Sequence, residues 1–225
     1  MNDGKPAGTI SLKDCTLVRK ANMRNIYILP SRPGVVLKTI RPERVDGKGN
    51  LPEYGRIKNL RGFGAYHVFI REIEEYIRLR RITYGNRSAR LPIPDIYELT
   101  DTEEGLGLVV EKMTDGNGKL APTLAEIIVS KNLSPKHERA LEAFGTKCKA
   151  LHVVFGDVHL NNLVYTETRT GEPELVCIDG FGEKSLVPIH RWSKTVNARK
   201  IDRTIRRMQR LMVPGQLKLR TREKS

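Results

Sequence analysis

The segment FGDVHLNNL, residues 155–163, is the most informative part of this chain because it places Asp157 and Asn162 five residues apart. A second carboxylate, Asp179, follows Asn162 by seventeen residues in the segment LVCIDGFGE. The three side chains lie on two short apolar segments that are joined by the polar turn TETRTGEPE. Phosphoryl transfer from a nucleotide uses such a set: one carboxylate orients the attacking group, and an amide oxygen and a second carboxylate hold Mg²⁺ against the phosphates. The spacing therefore indicates a phosphoryl-transfer site.

Each of these side chains also has a simpler interpretation. Asp157 is a residue type that often caps a turn, Asn162 can bond to its own loop, and Asp179 can mark a plain strand-to-turn junction. His152, Asp157 and His159 suggest a third interpretation, a zinc or iron site, because histidine and carboxylate are ordinary ligands of both metals. No fourth ligand is evident nearby in the sequence, and His152 is expected to end a helix.

Lys38 is a candidate for binding nucleotide phosphates. It ends the segment GVVLK, in which it alternates with residues suited to a core. A lysine on such a strand reaches the phosphates while a glutamate on a helix holds it in place. Glu72 is the expected partner, since it shares a helix face with apolar residues, whereas Glu74 and Glu75 are expected to face water. The alternative is an exposed lysine at the end of a strand.

The composition is that of a soluble globular protein with a sizeable core. The chain has 225 residues, of which 39% are hydrophobic and 29% are charged. It has no apolar run near eighteen residues, so no transmembrane segment is expected. The start of the chain lacks a basic-then-apolar signal pattern, and the three cysteines are scattered without paired spacing. These features favour a cytoplasmic location.

Positive charge is concentrated near the end of the chain. The net charge is +14, and residues 191–225 contain twelve Lys and Arg against two acidic residues. Within residues 192–212 the apolar positions keep to one helical face: Trp192, Val196, Ile201, Ile205, Met208 and Met212. We expect this face to pack onto the protein, with the basic face solvated or bound to an anionic partner, either nucleic-acid phosphates or an anionic membrane surface. Aromatic residues are only 6%, so sequence-specific nucleic-acid recognition has no support.

The order of elements predicts an α+β protein. Strands are predicted at residues 9–18, 25–29, 34–40, 91–100, 105–113, 162–167 and 174–179, and helices at 66–83, 123–133, 135–152 and 192–212. Thr123 and Glu126 are expected to form a capping box, and Pro135 to open the longer helix.

The same order predicts three parts. Residues 1–112 form an antiparallel-sheet lobe with one helix and a basic, exposed insertion at 41–65, which is rich in Gly, Pro and charge. Residues 113–213 form a reduced, mostly helical lobe, and residues 214–225 form a flexible basic tail.

Several of these motifs together resemble the protein-kinase-like superfamily: VVLK with Lys38, REIEEY with Glu72, GDVHLNN with Asp157 and Asn162, and IDGFGE with Asp179. GDVHLNN resembles the catalytic loop of aminoglycoside and choline kinases, in which His takes the place of the protein-kinase Lys. The segment LVCIDGFGEKSLVPIHRWSKTVNARK, residues 175–200, is similar to the bacterial PhoP regulatory network protein YrbL family. The similarity covers roughly residues 12–212.

The resemblance implies a two-lobed protein-kinase-like fold, ATP and Mg²⁺ as cofactors, and a role for each matching residue. Asp157 is the implied catalytic base, which accepts the proton of a substrate hydroxyl. Asn162 and Asp179 are the implied Mg²⁺ ligands. Lys38 is implied to bind phosphate while Glu72 orients it. The backbone of Glu111 and Met113 is implied to meet the adenine.

The chain departs from the superfamily pattern in two places. The segment VRKANMRNIYIL before Lys38 contains no glycine, so the usual glycine-rich phosphate cover is missing. Lys20 and Arg24 either replace it with side-chain charge or form a solvated basic turn. Fewer than fifty residues follow Asp179, which favours a small-molecule acceptor over a protein.

Three functions remain from the sequence. The first is an ATP- and Mg²⁺-dependent phosphotransferase that acts on a hydroxyl of a small-molecule or protein acceptor. The second is a catalytically weak or inactive, pseudokinase-type nucleotide-binding regulator of the PhoP-network type, which engages a partner through its basic helix. The third is a plain nucleic-acid binder, whose affinity falls steeply with salt.

Overall fold

The structure, a computed structural model, describes residues 9–54, 62–86, 88–184 and 188–213. The flexible tail predicted at 214–225 and part of the predicted insertion therefore lie outside the described residues. The described chain divides into two compact units. The first runs up to Tyr76 and includes Pro94–Lys112, and the second comprises Ile77–Ile93 and the residues from Met113 onward. Residues 77–93, which the sequence analysis assigned to the first lobe, thus belong to the second unit.

The first unit is built on a five-stranded antiparallel sheet with the order β1-β2-β3-β5-β4. Its strands are β1 (Thr16–Lys20), β2 (Arg24–Ile28), β3 (Val35–Ile40), β4 (Ile96–Thr102) and β5 (Gly105–Glu111). Helix α1 (His67–Ile82) lies between β3 and β4 in the chain. Single-turn 3-10 helices occur at Leu12–Asp14, Pro42–Arg44, Pro52–Tyr54 and Gly64–Tyr66. The fold class is α+β, as predicted.

Strand β3 is buried along its whole length and divides the core into two layers. Val36 and Ile40 lie in a cluster with Val68 and Phe69 of α1. Val35 and Leu37 belong to a different cluster with residues of β2 and β5. Because successive strand side chains point to opposite faces, Lys38 shares the face of Val36 and Ile40. It is only 4% exposed, so its interpretation as an exposed strand-end lysine is wrong.

The predicted insertion at 41–65 is not wholly exposed. Leu51 is fully buried in the cluster that contains Phe69, and Ala65 is buried there too. The segment folds onto itself, because Asp46 Oδ1 accepts the backbone N–H groups of Lys48 and Asn50 at 2.9 Å and 2.8 Å. The prediction of an exposed segment followed its Gly, Pro and charge content and overlooked the apolar residues, such as Leu51, that anchor it.

The second unit is mostly helical and contains one small hairpin. Its elements are α2 (Leu124–Val129), α3 (Pro135–Ala150), β6 (Leu163–Thr166), β7 (Glu174–Cys177), α4 (Ile189–Trp192) and α5 (Lys194–Met212), with a 3-10 turn at Leu160–Asn162. The capping box predicted for α2 is present: Thr123 Oγ1 accepts the Glu126 N–H at 3.2 Å, and Glu126 Oε2 accepts the Thr123 N–H at 2.7 Å. Pro135 opens α3 as predicted.

Helix α5 keeps most of the predicted apolar face. Ile201, Ile205 and Met208 are buried, as is Met212 at its end. Trp192, predicted on the same face, is 72% exposed, and that prediction is wrong. The backbone of Ser193 is extended, with φ −113° and ψ 107°, so α4 and α5 are separate helices and their periodicity does not continue across the break. Within the described ranges, no helix is both long and apolar enough to cross a membrane.

Lowering the pH below about 6.5 is expected to destabilise the start of α3. The backbone N–H of Ser134 donates to His137 Nδ1 at 3.0 Å, and the imidazole packs on the Tyr165 ring with centroids 4.4 Å apart. Burial, and then the nearby Lys136 ammonium, lower the pKa of His137 below its ordinary value. As the pH falls, His137 therefore binds a proton in the unfolded chain before it does so in the folded protein. The stability that is fully present above the pKa of His137 in the unfolded chain is lost as the pH falls toward its lower pKa in the folded protein.

Thermal unfolding at about pH 7.5 and about pH 5.5 measures this effect in the wild type and in His137→Gln. Burial also lowers the pKa of His190, so the wild-type response alone does not isolate His137. We expect the variant to lose less melting temperature on acidification than the wild type does. His159→Gln, a substitution of an exposed histidine, is the matched control. An unchanged pH response in His137→Gln contradicts the prediction.

Candidate functional site

Glu72 lies between two buried cations in the first unit. Its Oε1 accepts from Arg24 Nη1 at 2.5 Å, and its Oε2 accepts from Lys38 Nζ at 3.2 Å. Arg24 is 3% exposed, Lys38 4% and Glu72 0%. The Lys38–Glu72 pair expected from the sequence is therefore present, and Arg24 is a third member that the sequence analysis did not identify.

The register of β2 and β3 explains why the two cations meet one carboxylate. Lys38 pairs with Ile26, and Arg24 pairs with Ile40. Residues two apart on a strand share a face, so Arg24 and Lys38 are diagonal neighbours on the face that meets α1. The Arg24 guanidinium also lies 5.6 Å from the centroid of the Phe69 ring. Arg24 is thus an interior residue at the start of β2, so its interpretation as part of a solvated turn is wrong, while its use as a phosphate-binding replacement stays a prediction.

Helix α1 contributes a second buried acid. Glu75 is fully buried, contrary to the expectation that it faces water, whereas Glu74 is exposed as expected. Residues three apart on a helix are neighbours, so Glu75 lies beside Glu72 on the interior face. The spacing of apolar residues in α1 did not predict the burial of Glu75, because it does not distinguish a glutamate on the buried face from a glutamate at the edge of that face.

The two residues expected to meet adenine through their backbone lie at the end of β5 and just beyond it. The Glu111 N–H donates to the Asp95 carbonyl at 2.8 Å, and the Glu111 carboxylate accepts the Asp95 N–H at 3.1 Å. The Met113 side chain is buried with Ala121, Val164 and Val176, and the Met113 carbonyl accepts the Ala121 N–H. Adenine binding by Glu111 and Met113 stays a prediction.

In the second unit, the two loops that carry Asp157, Asn162 and Asp179 are hydrogen-bonded directly to each other. The Gly180 carbonyl accepts the N–H groups of both Gly156 and Asp157, each at 2.8 Å. The Asn162 carbonyl accepts the Ile178 N–H at 2.8 Å. The hairpin register of β6 and β7 places Leu163 opposite Cys177, immediately beside these loops. The three side chains predicted from spacing are therefore carried by adjoining backbone segments.

Gly180 permits this close approach. Its φ is +80°, and a Cβ at this position would lie 2.0 Å from the Asp157 carbonyl oxygen. It would also lie 3.1 Å from Asn162 Nδ2. Only glycine adopts this conformation readily and leaves room for the facing carbonyl. The glycine that follows Asp179 is thus required by the contact between the loops.

The oxygen atoms of this group suit a hard cation. Asn162 Nδ2 donates to the Asp157 carbonyl at 3.3 Å, so the amide nitrogen is anchored, and Asn162 Oδ1 makes no hydrogen bond with the described residues. Asp179 is half-buried, and its Oδ1 accepts the Gly180 N–H at 2.5 Å. Asp157 is exposed. Carboxylate and amide oxygens are ligands that Mg²⁺ prefers, so the donor set fits that ion.

Cations approach Asp157 from two elements. Lys184 Nζ lies 3.7 Å from Asp157 Oδ2, with both side chains substantially exposed. Lys200 of α5 donates to the Phe155 carbonyl at 2.6 Å. Burial lowers the pKa of Lys200, and the negative charges of Glu183 and Asp157 act in the opposite direction. Lys184 was not predicted as a site residue, and Lys200 was expected only as part of the basic face of residues 192–212.

Helix α5 holds the loop that leads into Asp157. Asn197 Nδ2 donates to the Val153 carbonyl at 2.8 Å, and Arg207 Nη2 donates to the Val158 carbonyl at 3.1 Å. With Lys200 these donors follow one side of the helix, at intervals of three and seven residues. The sequence shows this spacing of the donors, but it does not show which backbone carbonyl groups accept from them.

The alternative of a histidine-based zinc or iron site finds no geometric support. His152 is buried, and its Nε2 bonds the His190 carbonyl oxygen at 2.7 Å rather than joining His159 and Asp157. No group of three or more His, Cys, Asp or Glu side chains able to hold a metal ion occurs in the part of the chain that the structure describes.

These features define an α+β protein with an antiparallel five-stranded sheet, a buried Arg–Glu–Lys group and two hydrogen-bonded loops that carry Asp157, Asn162 and Asp179. The chain belongs to the PhoP regulatory network protein YrbL family, whose model matches residues 10–213. No curated protein matches the chain.

Proposed function

We propose that the chain is a phosphotransferase with a two-lobed protein-kinase-like fold, which uses ATP and Mg²⁺ to phosphorylate a hydroxyl group. Asp157 accepts the hydroxyl proton as the acceptor oxygen bonds to the γ-phosphorus. The bond from that phosphorus to the bridging β–γ oxygen breaks, and ADP leaves. Asn162 and Asp179 hold the metal ion, and Lys38, held by Glu72, neutralises phosphate charge. Positioning and charge neutralisation supply most of the catalysis in such a reaction.

The observation that carries the proposal is the direct hydrogen bonding between the Asp157–Asn162 loop and the Asp179–Gly180 loop. It gathers a candidate base and two candidate metal ligands in one unit. The buried Lys38–Glu72 pair, which joins the central strand β3 to helix α1, supports the proposal independently, because burying two charged side chains carries a large desolvation cost. The exposure of Asp157 leaves its carboxylate accessible to an acceptor.

A nucleotide-binding regulator without turnover is the second candidate. The turn between β1 and β2 is formed by Ala21, Asn22 and Met23, and it closes with a 2.8 Å bond from the Ala21 N–H to the Arg24 carbonyl. It has no glycine through which backbone amides approach phosphates. Lys184 also pairs with the Asp157 carboxylate, which competes with its use as a base. Both features favour weak or absent catalysis.

ATP turnover in the purified protein, compared with Asp157→Ala, tests the enzyme proposal. We expect the wild type to consume ATP or to phosphorylate itself in the presence of Mg²⁺, and the variant to lose this activity by about 10²-fold or more. Asp202→Ala is the matched control, because Asp202 is likewise a surface carboxylate paired with a lysine, Lys149, at 2.8 Å. Equal background activity in all three proteins defeats the enzyme proposal.

Nucleotide binding is measured separately by thermal shift with a non-hydrolysable ATP analogue, with and without Mg²⁺. Ligand binding to the folded state raises the melting temperature by mass action, so an Mg²⁺-dependent increase is expected. An increase without turnover selects the regulator. No increase under any condition rejects both candidates.

A further inference from the structure

Four arginines form one stripe along the solvent side of helix α5: Arg199, Arg203, Arg206 and Arg210. Their spacing of four, three and four residues keeps them within one narrow face, opposite the buried face that contains Ile201 and Met208. All four are exposed, and none forms an ion pair or a side-chain hydrogen bond with the residues that the structure describes. The stripe extends about 16 Å along the helix.

Among the residues that the structure describes, no acidic side chain pairs with this stripe. Like charges three or four residues apart on a helix repel each other and destabilise it. Asp202 is the one acidic residue in α5, and it already pairs with Lys149 of α3. Asn197, Lys200 and Arg207 donate to loop carbonyls, whereas no such bond is formed by the four arginines with the described residues. Repulsion that the described residues do not compensate points to an anionic partner outside the chain.

Exposed apolar side chains precede and follow helix α5 in the chain. Trp192 is 72% exposed and Ile189 51% exposed in α4, which precedes α5. Val213, which follows the last turn of α5, is 54% exposed. A tryptophan beside cationic side chains is typical of segments that sit at a membrane–water interface, where the ring meets the acyl boundary and the cations meet the headgroups.

We propose that the arginine stripe of α5, with Trp192 and Ile189, binds the surface of an anionic lipid bilayer. Charge complementarity selects an anionic surface, and the aliphatic Ile189 and Val213 favour lipid over nucleic acid. Nucleic-acid sites of comparable charge use several aromatic side chains as stacking platforms, whereas α4 and α5 contain one aromatic residue, Trp192. The proposal does not depend on phosphotransferase activity.

Trp192 is the only tryptophan of the chain, so its fluorescence reports on this surface without labelling. Vesicles of phosphatidylglycerol mixed with phosphatidylcholine are compared with vesicles of phosphatidylcholine alone. We expect a blue shift of the emission and co-sedimentation with the anionic vesicles only. Both signals should weaken as ionic strength rises, because the Debye length shortens from about 10 Å at 0.1 M to about 3 Å at 1 M.

Charge reversal tests the location of the surface. Arg203→Glu combined with Arg206→Glu is expected to weaken vesicle binding by about thirtyfold or more, because each basic side chain near an anionic surface strengthens binding roughly fivefold. Lys131→Glu combined with Arg139→Glu changes the net charge equally at exposed sites elsewhere in the second unit and should leave binding nearly unchanged. Far-UV circular dichroism checks that both variants are folded.

Several results overturn the proposal. One is the absence of a blue shift and of co-sedimentation at low salt in the wild type, and another is equal binding to both kinds of vesicle. Equal weakening by the two charge-reversal pairs would show a general charge effect rather than this surface. A blue shift with duplex oligonucleotides but not with vesicles would assign the stripe to nucleic acid.

Discussion

Replacing Glu72 by glutamine is expected to lower the free energy of unfolding by about 3–5 kcal/mol. The carboxylate is fully buried and accepts from Arg24 and Lys38 on its two oxygens. The glutamine amide has the same shape but keeps only one acceptor oxygen, so its NH₂ group would face one of the two cations. Removing one partner from a buried ionic group is far more costly than removing a surface ion pair, because the remaining charges stay desolvated.

Urea unfolding followed by circular dichroism measures this loss. Glu74→Gln is the matched control, since Glu74 lies on the same helix but is exposed, and its replacement should change the free energy of unfolding by less than about 0.5 kcal/mol. Similar losses in Glu72→Gln and Glu74→Gln would contradict the prediction that the buried ionic group of Glu72 stabilises the fold. Hydrogen exchange of the α1 amides provides a second readout, and protection there should fall in Glu72→Gln only.

Because Glu72 has two cationic partners, Lys38 can be replaced without leaving Glu72 unpaired. Lys38→Met leaves Glu72 paired with Arg24, so this variant should lose less stability than Glu72→Gln does. A folded Lys38→Met protein then reports on phosphate binding alone. Because Arg24 also pairs with Glu72, the Glu72 side chain should keep its position when Lys38 is replaced.

The sequence predicted the elements of the fold better than their contacts. The alternation of GVVLK and the helical spacing around Glu72 were sufficient to pair Lys38 with Glu72. Arg24 required the register of β2 against β3, which is set by the backbone between the strands and not by any local pattern. Its burial was therefore not predictable from the sequence.

Two errors in the element predictions have non-local causes. The strand predicted at 9–18 begins only at Thr16, because Ser11 Oγ and the Leu12 N–H both bond to the Glu103 carboxylate, at 3.0 Å and 2.8 Å. That acceptor lies about ninety residues away in the chain. Trp192 was placed on a continuous helical face, but the extended Ser193 interrupts the helix. Neither effect appears in local propensity.

In the candidate site, too, some features were predictable from the sequence and others were not. The spacing of Asp157, Asn162 and Asp179 was enough to predict that their side chains belong together. The backbone contact that joins the two loops was not predictable, because it depends on the Gly180 carbonyl meeting the N–H groups of Gly156 and Asp157. Their roles as base and metal ligands stay predictions, which the turnover and thermal-shift experiments address.

Replacing Gly180 by alanine is expected to strongly destabilise the second unit. At φ +80° an alanine is strained, and its Cβ would lie 2.0 Å from the Asp157 carbonyl oxygen, a separation that forces backbone movement. We expect a loss of about 3 kcal/mol or more in the free energy of unfolding, because left-handed strain and a backbone clash add together. The displaced loop carries Asp157 and Asn162, so under the proposed function Mg²⁺-dependent nucleotide binding should be lost as well.

Gly171→Ala separates the two causes of that loss. Gly171 has nearly the same φ, +81°, but a Cβ there would meet nothing within 4 Å. Its replacement should therefore show the left-handed strain alone, about 1–2 kcal/mol, and leave the Mg²⁺-dependent thermal shift unchanged. Equal losses of unfolding free energy in the two variants would mean that Gly180 is needed only for its left-handed backbone conformation and not for the contact with Asp157. A larger loss in Gly180→Ala, accompanied by loss of the nucleotide shift, would show that the contact with the Asp157 carbonyl positions the oxygen ligands.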